Sequence, residues 1–203
     1  LLAVLGWNDG TEQELFSLEE MVEKFSMDRV HKAGAKFDFE KAKWFNHEWI
    51  KKLKVESLQL KVKELLEAAD IQIDSEQKLE KVIELVKERC TLLPDFVQQA
   101  GFFFKTPETL EVDAVKPKWN EEKAGFFNEY CDLIAGIDNW ELVKIEEVFK
   151  TLVAEKNIKP GELLLPLRIM LVGGKFGPAV FQIADLIGKE ETIFRIKNAM
   201  KQF

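Results

Sequence analysis

Apolar side chains in this chain of 203 residues recur at intervals of three and four, and no strand-like alternation survives beyond a few positions. That spacing lines hydrophobic groups along one side of a helix, so the fold class it predicts is all-α. Leu58, Val62, Leu65, Leu66 and Ala69 form one such stripe, and Leu79, Val82, Ile83 and Val86 form another. Phe126, Phe127, Tyr130, Leu133 and Ile134 repeat the pattern, followed by Val143, Ile145, Val148, Phe149 and Leu152. One-sided stripes must be buried against each other. The expected architecture is therefore two consecutive helical, bundle-like units.

Local signals place the helix ends. Ser17-Leu18-Glu19-Glu20 reads as a capping box, with Phe16 and Met21 at the positions of a hydrophobic staple. Past Gly34, Asp38 caps a helix carrying Phe39, Ala42, Trp44, Phe45 and Trp49. Ser57 is read as the cap of the next helix, and Asp74-Ser75-Glu76-Gln77 as the cap of the one after it. Pro94 breaks the pattern and starts a helix that runs through Phe96 to Phe104. Asn120 caps a further helix, and Asp138-Asn139-Trp140-Glu141 begins another. Thr106-Pro107 to Pro117-Lys118 is polar, proline-containing and weakly periodic, which marks it as the linker. The division expected is a first segment over 1–55, one helical unit over 56–110 and a second over 111–203.

The stretch LLLPLRIMLVGGKFGPAV, from Leu163 to Val180, is the least ordinary. Pro160 suits a first helical turn, Gly173-Gly174 supplies a left-handed stop, and Gly177-Pro178 opens the next helix. Arg168 follows Leu164 by four residues and rides the edge of the apolar stripe. A tight corner results. Its simplest reading is a connection between antiparallel helices, with the Arg168 tip in water. Alternatively, the arginine and the free N–H groups hold a phosphate or a base edge.

The block LPLRIMLVGG…GPAVFQIADLIGKEETIFRIKNAM resembles the extreme C-terminus of bacterial glutamyl-tRNA synthetases, where a Pro-Leu-Arg helix and a Gly/Thr-Pro turn meet the anticodon. Upstream, FSLEEMVEKFSMDRVHKAGAKFDFEKAKWFN resembles the stem-contact region of the same family, whose face lies against the inside of the L-shaped tRNA. The likeness runs end to end, strongest over 12–50 and 160–200 and weak through 105–158. It implies a helical anticodon-binding cage, divided as above into a stem-contact remnant and two anticodon-binding subdomains. It implies that Arg89 faces the third anticodon base and favours cytosine over guanine, which separates glutamate tRNA from glutamine tRNA. Arg168 would meet an anticodon base or its phosphate, with Pro178 and Val180 shaping an apolar slot. Gly177 stands where some members have threonine, which leaves main-chain contacts there, and Val180 replaces a longer leucine. The partner implied is tRNA(Glu), held at its anticodon loop and the inner face of its L, by a cytoplasmic monomer.

Residue by residue, other readings remain open. Arg89 could instead cap the last carbonyls of its helix. Trp44 and Trp49 fall at helical spacing and are read as core, though beside Lys51, Lys52 and Lys54 they could also stack bases. The net charge of -7 argues against nonspecific nucleic-acid binding, DNA included, and restricts any RNA contact to one face. Such a face is conceivable from Lys159 onward, where Lys159, Arg168, Lys175, Lys189, Arg195, Lys197 and Lys201 outnumber the acids. The competing function is a helical protein–protein interaction module, docking through Phe102-Phe103-Phe104 or the C-terminal helix. Those phenylalanines are read as buried.

The chemistry expected of this segment is none. The ATP-binding signatures His-Ile-Gly-His and Lys-Met-Ser-Lys do not occur, nor does a phosphate loop or a Gly-x-Ser-x-Gly elbow. No catalytic residue, metal ligand or cofactor is expected here. ATP and Mg would serve the parent enzyme, from domains N-terminal to a chain that begins without methionine. Cys90 and Cys131 are too few for a disulfide scaffold and are read as inert thiols, and no apolar run approaches the roughly 18 residues a membrane helix needs.

Overall fold

The computed structural model describes residues 2–31 and 36–203. Gly34, the break expected before the Asp38 helix, lies outside the described residues. The described residues form eleven α-helices, and their single β-type pairing is an antiparallel bridge between Trp7 and Val30. The order is α1 (Leu2–Gly6), α2 (Leu18–Lys24), α3 (Phe39–Lys52), α4 (Val55–Ala68), α5 (Glu76–Val86), α6 (Asp95–Gly101), α7 (Glu121–Ala135), α8 (Leu142–Lys156), α9 (Pro160–Val172), α10 (Val180–Ile187) and α11 (Lys189–Met200).

Four of the side-chain caps expected from the sequence form. Ser17 and Glu20 close a reciprocal capping box on α2. Asp38 accepts from the Glu40 and Lys41 amides at 2.9 and 3.0 Å, Ser75 from Lys78, and Asn120 from Lys123. Ser57 is the exception. Helix α4 begins three residues earlier, behind Lys54, with Ser57 inside its first turn. The helix after Pro94 ends at Gly101, and hydrogen-bonded turns carry the chain on through Phe104.

Helices α4, α5 and α6 pack on one another. Helix α7 lies along α8 and α11, while α9 and α10 pack together and against α11 and α8. One continuous apolar core runs from Ile50 through Phe96 and Phe126 to Ala199. Phe102 and Phe103 are buried in it and Phe104 is half-buried, as expected, so this run offers no exposed docking face.

The tryptophans of α3 overturn their core reading: Trp44 and Trp49 are 41% and 40% exposed. The helix carries two apolar stripes about 100° apart, and only Phe45 and Ile50 meet a partner. Trp44 packs edge-on against Phe45, and the Lys52 ammonium lies over the Trp49 ring.

The segment from Thr106 to Lys118 contains no α-helix, but it is pinned at its start and near its middle. The Thr106 hydroxyl donates to Glu191 at 2.5 Å, and the Glu111 amide donates to the Gly173 carbonyl at 2.8 Å. Glu191 in turn accepts from Arg195 Nε at 2.6 Å. Arg195 is 3% exposed and also donates to the carbonyls of Phe102 and Leu171 at 2.8 and 2.6 Å. A residue counted among the surface cations of the sequence is thus an internal staple joining three parts of the core.

Candidate nucleic-acid interface

Helix α9 opens with Pro160 in its first turn and stops at Gly173, whose φ of +89° is left-handed. A Cβ at Gly173 would stand 2.7 Å from the Thr109 carbonyl, so only glycine fits both the turn and the close approach. Gly177, at φ +97°, makes the second bend before α10.

Arg168 organises this loop. Its Nη1 donates to the carbonyls of Phe176, Gly177 and Pro178 at 3.0, 3.1 and 2.7 Å. One nitrogen with two hydrogens shared among three carbonyls gathers them to one side. The tip is half-buried, not simply solvated as in the plain helix-corner reading. At the start of α10 the amides of Val180, Phe181 and Gln182 lack intrahelical acceptors, and Ala179 brings no capping side chain. The first turn therefore offers free donors and a positive dipole end. Pro178 and Val180 are buried, so they form the packing beneath the corner. Gly177 is half-exposed and presents only main chain.

Arg89 stands in the other half of the chain, and its charge is felt at Arg168. Helix α5 ends at Val86, and a 3-10 turn over Lys87–Arg89 projects the arginine into solvent. The turn is held from two sides. Asp95 accepts from the amides of Thr91 and Leu92, both at 2.8 Å. From α3, His47 Nδ1 lies 2.9 Å from the Cys90 carbonyl and the Asn46 amide donates to the Thr91 carbonyl. The bond from His47 requires the tautomer with a proton on Nδ1. These partners of the Cys90 and Thr91 carbonyls were not visible in the sequence, because Asn46 and His47 lie more than forty residues away.

Burial lowers the Arg168 guanidinium from its ordinary value, and the charge of Arg89 lowers it further, with no carboxylate offsetting either effect. The charge of Arg89 is thus felt at Arg168. Such a pair attracts an anion or the acceptor edge of a base.

Other cations of the C-terminal stretch are already engaged. Arg195 is buried, Lys189 donates to the carbonyls of Ala135 and Ile137, and Lys197 lies 3.9 Å from Asp132. Lys175, on the loop itself, is exposed. Of the cations counted along the sequence, Arg168 and Lys175 lie on the corner, while the exposed Lys159 and Lys201 stand at the start of α9 and the end of α11.

The thiols carry no chemistry: Cys90 and Cys131 are buried, and burial pushes them up to about 12 and about 11. Among the described residues no group of three or more His, Cys, Asp or Glu side chains is placed to hold a metal ion, and no helix is long and apolar enough to cross a membrane.

Residues 18–200 match the family model described as an anticodon binding domain. The chain is 40% identical over 199 residues to the glutamate–tRNA ligase of Flavobacterium johnsoniae, covering 98% of this chain and 39% of the relative. It is 37% identical over 207 residues to the glutamate–tRNA ligase of Pelodictyon phaeoclathratiforme, covering 96% and 41%. Among solved structures, a glutamate tRNA ligase from Elizabethkingia meningosepticum in complex with its amino acid superposes with a TM-score of 0.90 at 36% identity, over 98% of this chain and 39% of that one. The chain thus spans about two fifths of the length of the relatives it matches.

Proposed function

We infer function from one premise: this chain belongs to the family of anticodon binding domains. The reading it supports is that the chain holds the anticodon loop of tRNA(Glu) for a glutamate–tRNA ligase. Joining glutamate to tRNA, with the ATP and magnesium this needs, is assigned to a part of such an enzyme outside this chain. Arg168, the main chain of Gly177 and the first turn of α10 would bind the loop, over packing supplied by Pro178 and Val180. Arg89 would face the third anticodon base. Unpaired loop bases expose edges and faces that such a mixed polar and apolar corner can read.

The observation that carries this reading is the Arg168 corner, where one guanidinium nitrogen gathers the Phe176, Gly177 and Pro178 carbonyls beside the side-chain-uncapped start of α10. The exposed Trp44 and Trp49, with Lys51 and Lys52 on the same helix, fit the proposed contact with the inner face of the L. We place the working boundaries at 1–55 for that contact, 56–110 for the first anticodon-binding subdomain and 111–203 for the second. The protein is proposed to act as a cytoplasmic monomer.

The test is the affinity of this chain for tRNA(Glu) transcripts carrying cytosine or guanine at the third anticodon position. Arg168→Ala is expected to weaken both by about 1–3 kcal/mol. Arg89→Gln is expected chiefly to narrow the gap between them. Equal affinity for an unrelated tRNA overturns the reading.

A further inference from the structure

The corner that Arg168 gathers does not rest on its own two helices alone. Against it lies the ring of Phe102, which comes from the other half of the chain, directly after α6. Phe102 is 5% exposed, and its backbone carbonyl is fixed by Arg195 Nη1 at 2.8 Å. Its ring stands 6.0 Å from that of Phe176, centroid to centroid, in an edge-on contact. The main chain of Gly177 passes so close that a Cβ there would meet Phe102 Cζ at 3.3 Å. Phe176 and Gly177 supply two of the three carbonyls that accept from Arg168.

One guanidinium nitrogen can bond several carbonyls only where they are already turned to one side, because hydrogen bonds weaken steeply once bent. Hydrogen bonding supplies direction here, and the ring supplies position. The packing around it is not complete: a cleft of about 300 Å³ opens at the same place, lined by Val97, Phe102, Val172 and Phe176 among others. Loss of the ring contact therefore leaves the loop room to shift. We propose that Phe102 is a positioning residue for RNA binding: through this ring, the end of α6 sets the carbonyl cluster that holds Arg168 in its binding geometry. The proposal rests on the anticodon-binding reading above.

The test is a double-variant cycle on the full chain, read as affinity for tRNA(Glu). Phe102→Leu keeps an apolar side chain but withdraws the ring tip, and is expected to weaken binding about fivefold. Added to Arg168→Ala it should cost little more, because both act through one group. Phe102→Tyr keeps the buried ring and adds an oxygen at the Cζ facing Gly177. It should weaken binding in the same Arg168-dependent way, and it carries the test if Phe102→Leu does not fold. Ile134→Ala, which opens a cavity on the buried face of α7, should lower stability and leave affinity unchanged. Without RNA, the Gly177 amide resonance should move in both Phe102 variants and stay in place in Ile134→Ala. If the losses from either Phe102 variant and from Arg168→Ala multiply, or Ile134→Ala weakens binding as much, Phe102 has only a structural role. The proposal then falls while the anticodon-binding reading stands. If Arg168→Ala binds as tightly as the unmodified chain, that reading fails and the proposal with it.

Discussion

Arg168 has two duties that pull against each other. It gathers three loop carbonyls through Nη1, and it presents positive charge beside Arg89. A lysine would keep the charge but lacks a fork able to bridge carbonyls while reaching outward. Arg168→Lys is therefore expected to lower tRNA affinity by about tenfold while leaving its salt dependence nearly unchanged, since the number of neutralised phosphates stays the same. Affinity measured across a salt series checks this, and a changed slope with unchanged affinity at low salt would contradict it. The helical position of Arg168 was legible from Pro160, Leu164 and Gly173. Its carbonyl partners were not, because loop closure depends on two positive-φ glycines bending the chain back. The pairing of Arg89 with it came only through a resemblance, since the influence of one charge on another 79 positions away depends on tertiary packing.

At the level of elements, α3 does work that its sequence concealed. Its aromatic spacing suggested a buried face through Trp44 and Trp49, yet periodicity cannot tell which of two adjacent stripes finds a partner. The stripe that packs brings Asn46 and His47 to the carbonyls following Arg89. Combining Asn46→Ala with His47→Ala should therefore loosen the Arg89 turn. The expected outcome is a smaller difference between cytosine and guanine loops, with the Arg168-dependent part of the affinity retained. Binding of both loops to the double variant, with and without Arg168→Ala, measures the two effects separately. Ser57 shows the reverse case: a good capping residue was outcompeted because Val55 already packs against the core, so the helix started earlier.

Across the whole molecule, the all-α class and most helix boundaries followed from period and caps, which are local. Arg195 is not local. It ties the Phe102 carbonyl after α6 to the Leu171 carbonyl in α9 and to Glu191, while Thr106 reaches that same carboxylate. Its sequence neighbours resemble those of any exposed helical arginine. Arg195→Ala strands two buried carbonyls and a carboxylate, and is expected to cost about 3–5 kcal/mol in unfolding free energy by denaturant titration. A loss below about 1 kcal/mol, typical of an exposed pair, would contradict the staple. The central claim is that two parts of the chain, joined through this core, present Arg89 and the Arg168 corner to one RNA loop. Amide chemical shifts, followed as an anticodon stem-loop of tRNA(Glu) is titrated into the whole chain, test it most directly. The account predicts that Arg89, Lys175, Gly177 and the first turn of α10 shift together along one binding curve. Shifts confined to one of these regions, or centred on the remote junction of α7 and α8, would contradict it.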